Sequence, residues 1–258
     1  MALVAAWIAY QLLVNPGFEW RVVGQYMLHR EVLAGVAMTL ELTVLVMLVG
    51  IVLGVALALL RLARDPLLRA AAFGYVWFFR GVPALVQLVF WYNLAALFPH
   101  LTLGIPFGGP KFLAISSTAA ISSFTAGLLG LGLNEAAYMA EIVRAGLLSV
   151  DAGQTDASRA LGHRPWQTFR VVVLPQAMRA ILPPTGNQVI GMLKYTSIAS
   201  VVGLGELMQS VENIYSRTFQ TIPMLIVASL WYLLLVSILS ALQSLIERRY
   251  ARGAADAR

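Results

Sequence analysis

Four ionisable residues interrupt the long apolar runs of the sequence and are its first candidates for chemistry on a solute. They are Glu41, Arg80, Glu135 and Lys194. A charged group at the depth of a lipid bilayer costs several kcal/mol unless it is paired or hydrated, so such residues mark functional sites by default. Carboxylates and cations together would suit a zwitterionic solute, since its ammonium and carboxylate groups both need partners once dehydrated. We expect these four to line a solute path, although Lys194 could instead extend its chain towards water.

Other titratable residues fit structural roles better. Glu141 and Arg144 are three residues apart on a helical pattern and should form an ion pair. The three histidines, at positions 29, 100 and 163, fall in polar connectors and show no HExxH spacing. A membrane-embedded enzyme is therefore the weaker alternative. A stand-alone channel stays open.

Composition places these residues in a membrane. Hydrophobic residues make up 59% of the 258 and charged residues 12%, with a mean hydropathy of +0.78. A soluble domain carries about a quarter charged residues to cover its water-facing surface. The absence of cysteine excludes disulfides, thiolate metal sites and cysteine nucleophiles. No basic region followed by a cleavage site opens the chain, so a removed signal peptide is not expected.

Five apolar runs are long enough to be spans, which predicts an all-α polytopic membrane protein with five core transmembrane helices. The runs cover residues 33–60, 70–97, 112–139, 186–205 and 223–246. Pro83 lacks an amide hydrogen and should kink the second run. The apolar segment 2–14 is shorter than the ~20 residues of a span and is either a sixth span or an interfacial helix. We divide the chain into an N-terminal segment and connector (1–34), a transmembrane domain (35–247) and a basic tail (248–258).

Alternate loops between these runs are basic. Loops 61–69, 149–185 and 247–258 contain three, four and four arginines, whereas loops 98–112 and 206–222 contain one lysine and one arginine. Because positively charged loops stay on the cytoplasmic side, loop 149–185 and the C-terminus are predicted to be cytoplasmic.

The pattern of loop 149–185 predicts two helices. Asp151 is a plausible N-cap for a helix over 152–161, and Gly162 suits the residue that ends it. Pro165 fits the first turn of a second helix, which Leu174–Pro175 should end. Trp166, Phe169 and Val173 then form one apolar stripe. A plain solvated loop is the simpler alternative, and a DNA-binding helix–turn–helix is disfavoured so close to a bilayer.

This loop resembles the EAA signature of ABC-importer permeases. That signature reads Glu-Ala-Ala, three residues, Gly, nine residues, Ile, one residue, Leu-Pro. Here its positions are filled by Asp156-Ala157-Ser158, Gly162, Val172 and Leu174-Pro175, with three mild departures. Residues 75–83, 134–146 and 193–197 are also similar to the polar amino-acid branch, and the resemblance extends over roughly residues 35 to 247.

The resemblance implies a permease subunit for a polar amino acid or a close relative, whose coupling helix docks on a cytoplasmic ATPase subunit. It also implies a second permease subunit and an extracytoplasmic solute-binding protein. The chain has no GxxxxGK[ST] phosphate loop, so it should be non-catalytic and bind no cofactor, with ATP and Mg used by the ATPase. The expected ATPase contacts are Asp156, Ala157, Ser158, Ala160, Gly162, His163 and Arg164.

Overall fold

A computed structural model describes residues 1, 4, 7, 10, 11, 14–104, 109 and 111–255. The prediction for segment 2–14 largely falls outside the described residues. A 3₁₀ turn, Pro16–Phe18, is followed by the helices and strands α1 Trp20–Met27, α2 Arg30–Arg61, α3 Pro66–Gly81, α4 Ala84–Tyr92, α5 Leu94–Leu97, β1 His100–Gly104, β2 Lys111–Ser116, α6 Ser117–Ala120, α7 Ser123–Leu148, α8 Ala152–Ala160, α9 Pro165–Thr168, α10 Leu174–Tyr195, α11 Leu207–Thr218 and α12 Thr221–Ala255.

Helices α2 and α7 form the centre of the bundle and pack along each other. Glycines let them approach closely: a Cβ at Gly54 would lie 2.5 Å from the Cβ of Met139, and one at Gly132 would lie 3.1 Å from Val49. Small residues at helix crossings are the usual means of packing spans, because lipid provides no hydrophobic force between them. Helices α3, α4 and α10 then pack on α7.

Two described helices are long and apolar enough to cross a membrane alone, residues 30–61 and 221–249. The pair α3 and α4 would make a third span, although its axis bends by 97° at the break. This bend confirms the prediction for Pro83. Helices α7 and α10 have 26 and 22 residues, but carry more polar residues than an independent span. The count of five core spans therefore stays a prediction.

A second core joins α1, α11 and α12 to the start of α2. Glu206 is fully buried there. Its carboxylate accepts from the backbone amides of Met208 and Gln209 (2.9 and 2.7 Å) and from the hydroxyl of Tyr232 on α12 (2.9 Å). The connector within residues 1–34 and loop 206–222 therefore contain the amphipathic helices α1 and α11. Their apolar faces pack against α2 and α12.

Two predicted boundaries are wrong. The third apolar run does not begin as a helix at 112, because Lys111–Ser116 forms a strand that pairs antiparallel with His100–Gly104. Helix α7 begins only at Ser123, where the Ser122 hydroxyl accepts from the Thr125 amide at 3.2 Å. The fourth run was also placed too late: α10 begins at residue 174 rather than 186.

Candidate functional site

A cavity of about 340 Å³ opens between α7 and α10. Its α10 wall is one helical face, with residues at i, i+3, i+4 and i+7, and its α7 wall centres on Glu135. The lining residues are Asn134, Glu135, Tyr138, Gln188, Gly191, Met192 and Tyr195. The walls combine an acid, two amides and two phenols with a methionine, a mixture that can bind a small polar solute.

Glu135 is the charged residue of this cavity. Its side chain is 3% exposed, and its Oε1 atom has no hydrogen-bond partner among the described residues. A buried carboxylate is costly unless it is paired, so a cationic group that reached this oxygen would provide a partner that the described residues do not. The structure places Glu135 in the wall of a cavity, and its role in a solute path stays a prediction.

Arg80 lies on α3 at the turn before the 97° bend, where it is exposed and does not line the cavity itself. Its guanidinium carbon lies 5.2 Å from the ring centroid of Tyr138, a cation–π distance. Tyr138 in turn lines the cavity beside Glu135. Arg80 is thus linked to the cavity through Tyr138, which follows Glu135 by three residues on α7.

The other two candidates do not join this site. Glu41 and Lys194 are both exposed and neither lines the cavity. Sequence reasoning missed Tyr138, Gln188 and Tyr195, although the spacing of the α10 residues on one helical face was a readable signal.

A cluster of charged residues lies towards the C-terminal end of α7. The Glu141 carboxylate accepts from Arg144 at 2.7 and 3.0 Å, which confirms the predicted pair. Its second oxygen accepts from Arg61 of α2 at 2.9 Å. The Arg61 guanidinium also lies 5.1 Å from the ring centroid of Phe73 on α3. The carboxylate thus joins α7 to α2, and Arg61 extends the cluster to α3, contacts that the local spacing could not reveal.

The helix over 152–160 has the predicted ends. Asp151 accepts from the Gly153 amide at 2.7 Å, and Gly162 ends the helix with a φ of +81°. That left-handed conformation favours glycine. Asp156, Ala157 and Ala160 lie exposed on this helix, and Arg164 is exposed just beyond it.

Ser158 departs from the prediction of a surface contact. It is 4% exposed and its hydroxyl bonds to Nδ1 of His163 (2.9 Å) and to the hydroxyl of Thr168 (3.0 Å). It therefore holds α8 against α9 from within, and a partner cannot reach it directly in this conformation. The exposed apolar residues of the loop are instead Leu161, Trp166 and Val171.

The second helix of the loop does not end at Leu174–Pro175. A π-helical turn over 169–173 leads without interruption into α10, and Pro175 occupies the first turn of that helix, where its missing amide hydrogen costs nothing. The loop and the cavity wall therefore belong to one continuous helical segment. Within it, the Trp166 and Phe169 rings of the predicted stripe stack at 5.7 Å.

The chain is similar to known transport permeases. Residues 50–252 match the family model described as "Binding-protein-dependent transport system inner membrane component". The arginine transport system permease protein ArgU of Corynebacterium glutamicum is 41% identical over 96% of this chain and 77% of its own length. The nopaline transport system permease protein NocM of Agrobacterium fabrum is 36% identical over 84% of this chain and 86% of its own length. A crystal structure of an amino acid ABC transporter with histidines superposes with a TM-score of 0.72 at 36% identity, covering 85% and 94%.

Proposed function

Because the chain belongs to the family of binding-protein-dependent transport system inner membrane components, we propose that it imports a cationic amino acid. It is a permease subunit of an ATP-driven importer, which favours the main sequence interpretation over the alternatives of a channel or a membrane enzyme. The proposal concerns the solute and the residues that bind it. Its first support is that ArgU, one of the relatives, is named for arginine.

The observation that carries the proposal is the buried Glu135 oxygen without a partner among the described residues. A cationic side chain entering the cavity would supply the missing charge. Arg80, which lies over Tyr138, would take the α-carboxylate that every amino acid carries. Arginine is the model solute, since its planar guanidinium donates two parallel hydrogen bonds to a carboxylate.

The cytoplasmic loop provides the proposed link to energy. Its exposed residues Asp156, Ala157, Ala160, Gly162 and Arg164 would contact an ATPase subunit, with His163 at the edge of the contact. The permease itself would be non-catalytic, with ATP and Mg bound by that partner. Since α10 joins the loop to the cavity wall, a displacement of the loop would move Gln188 and Tyr195. A second permease subunit and an extracytoplasmic solute-binding protein would complete the importer.

Solute binding to the detergent-purified importer, without its solute-binding protein, tests the two charges separately. Glu135→Gln should weaken binding of labelled L-arginine by roughly tenfold or more, because removing one buried charge partner costs several kcal/mol. It should leave L-glutamine binding nearly unchanged. Arg80→Gln should weaken both amino acids, since both carry the α-carboxylate.

The matched control is Glu41→Gln, the same change at an exposed carboxylate outside the cavity. It should leave both affinities unaltered. Equal arginine affinity for Glu135→Gln and the unaltered protein would overturn the proposed role of Glu135, and so would an equal loss at Glu41.

A further inference from the structure

The break between α3 and α4 leaves several backbone carbonyls without helical donors, among them those of Phe79 and Val82. In a continuous helix the Phe79 carbonyl would accept from the amide of residue 83, but Pro83 has no amide hydrogen. The Val82 carbonyl loses its donor as well, because the Val86 amide bonds to the Pro83 carbonyl at 3.0 Å. At the depth of a membrane such groups must be satisfied from within the protein.

Two amide side chains donate hydrogen bonds to these carbonyls in place of the missing backbone amides. The Gln87 Nε2 atom donates to the Phe79 carbonyl at 3.0 Å and to the Val82 carbonyl at 2.8 Å. The Asn134 Nδ2 atom donates to the same Phe79 carbonyl at 2.6 Å. Gln87 is 4% exposed and Asn134 is 7% exposed, so water does not compete freely for these bonds. Side chains from both α4 and α7 therefore satisfy carbonyls at the bend between α3 and α4, which we call the Pro83 corner.

The corner also fixes two candidate solute residues relative to each other. Phe79 precedes Arg80 in the chain, and Asn134 precedes Glu135. The bond between Asn134 and the Phe79 carbonyl therefore sets the spacing between the cation over Tyr138 and the carboxylate in the cavity. Beside it, Gly130 brings α4 to backbone contact with α7, since a Cβ there would lie 2.9 Å from the Cα of Leu88.

We infer that Gln87 and Asn134 are positioning residues, which hold the Pro83 corner closed so that Arg80 stays over Tyr138 beside Glu135. Their relevance to transport rests on the proposed function. The geometry that they maintain does not rest on the proposed function, because it is a property of the chain without solute. A test that measures the distance directly keeps the two claims separate.

The absence of cysteine from the sequence makes that test possible. Arg80→Cys and Tyr138→Cys, introduced together, place a thiol pair across the corner, and a mild oxidant or a short bifunctional reagent reports their proximity in membranes. Adding Gln87→Met removes the amide donors while keeping the size of the side chain. We expect the cross-linking rate to fall roughly tenfold, since the Val82 carbonyl would lose its donor and a buried carbonyl without a partner is costly.

Two controls separate a local opening from a loss of fold. Gln209→Met, on α11, changes the same residue type away from the corner and should leave the 80–138 cross-link unaltered. A second pair, Arg61→Cys with Glu141→Cys, replaces two side chains that lie 2.9 Å apart between α2 and α7. This pair should cross-link equally with and without Gln87→Met.

An unchanged 80–138 cross-linking rate in the Gln87→Met protein overturns the inference. If that protein does not accumulate in membranes, Asn134→Leu replaces it with the same expected loss. If neither accumulates, adding Pro83→Ala, which returns an amide hydrogen to position 83, should restore accumulation, and failure to do so would also overturn the inference. A failed arginine-binding test at Glu135 would instead count against the proposed solute and leave the corner intact.

Discussion

Gly50 of α2 lies directly against the Glu135 side chain of α7: a Cβ at position 50 would come within 2.7 Å of the Glu135 Cγ. Without a side chain at 50, the carboxylate can turn into the cavity between α7 and α10. The position of the charged cavity residue thus depends on a glycine 85 positions earlier in the chain.

Gly50→Val should therefore displace Glu135 and reduce arginine binding by roughly tenfold or more, because the crowded atoms belong to a well-packed helix pair. Radioligand binding to the purified complex measures the effect. Gly74→Val is the matched control, since a Cβ at position 74 of α3 meets no atom within 4 Å. Equal affinities for the two variants would contradict the contact.

Gly162→Leu should uncouple uptake from ATP hydrolysis or prevent assembly with the ATPase, while membrane insertion stays normal. At a φ of +81° a leucine costs about 1–2 kcal/mol and would reorient α8 relative to α9. Gly162→Asn should be much milder, because asparagine adopts left-handed conformations more readily. Uptake and ATPase rates in proteoliposomes distinguish these outcomes. Normal coupled uptake with leucine would refute the role of this turn.

Glu141→Gln should destabilise the permease by about 1–3 kcal/mol, since Arg61 and Arg144 would both lose their charged partner in a partly buried cluster. A lower midpoint of thermal unfolding in detergent would show this. Glu31→Gln breaks a pair of similar length, 2.6 Å to Arg217, but both side chains are largely exposed. Its effect should stay within about 1 kcal/mol. A larger fall in the unfolding midpoint for Glu31→Gln than for Glu141→Gln would contradict the prediction that the partly buried cluster contributes more to stability.

The predicted orientation can be tested with single cysteines. In intact cells Leu161→Cys should resist an impermeant thiol reagent, because loop 149–185 is basic and expected to be cytoplasmic. Thr102→Cys on the hairpin should label readily, and in inverted vesicles the two should exchange behaviour. Labelling of residue 161 from outside would overturn the orientation.

The residues of the corner show how far sequence reasoning reaches. Pro83 predicts the break because a missing amide hydrogen is a local property. Nothing local predicts that Gln87 and Asn134 will satisfy the carbonyls, since one donor comes from a helix 55 residues away. Local sequence was equally insufficient for Ser158. Its hydroxyl was expected at a surface, but it lies between two helices.

Composition alone determined that the chain is a membrane protein, since too few charged residues exist to cover a surface in water. Local chemistry determined the break at Pro83, the ends of the helix between Asp151 and Gly162, and the Glu141–Arg144 pair. Only the tertiary structure decided that Glu135 lines a cavity and that Arg80 contacts Tyr138 in the wall of that cavity, while Glu41 and Lys194 do not line it. A helical period says which residues lie on one face, but glycine contacts between distant helices decide which faces meet.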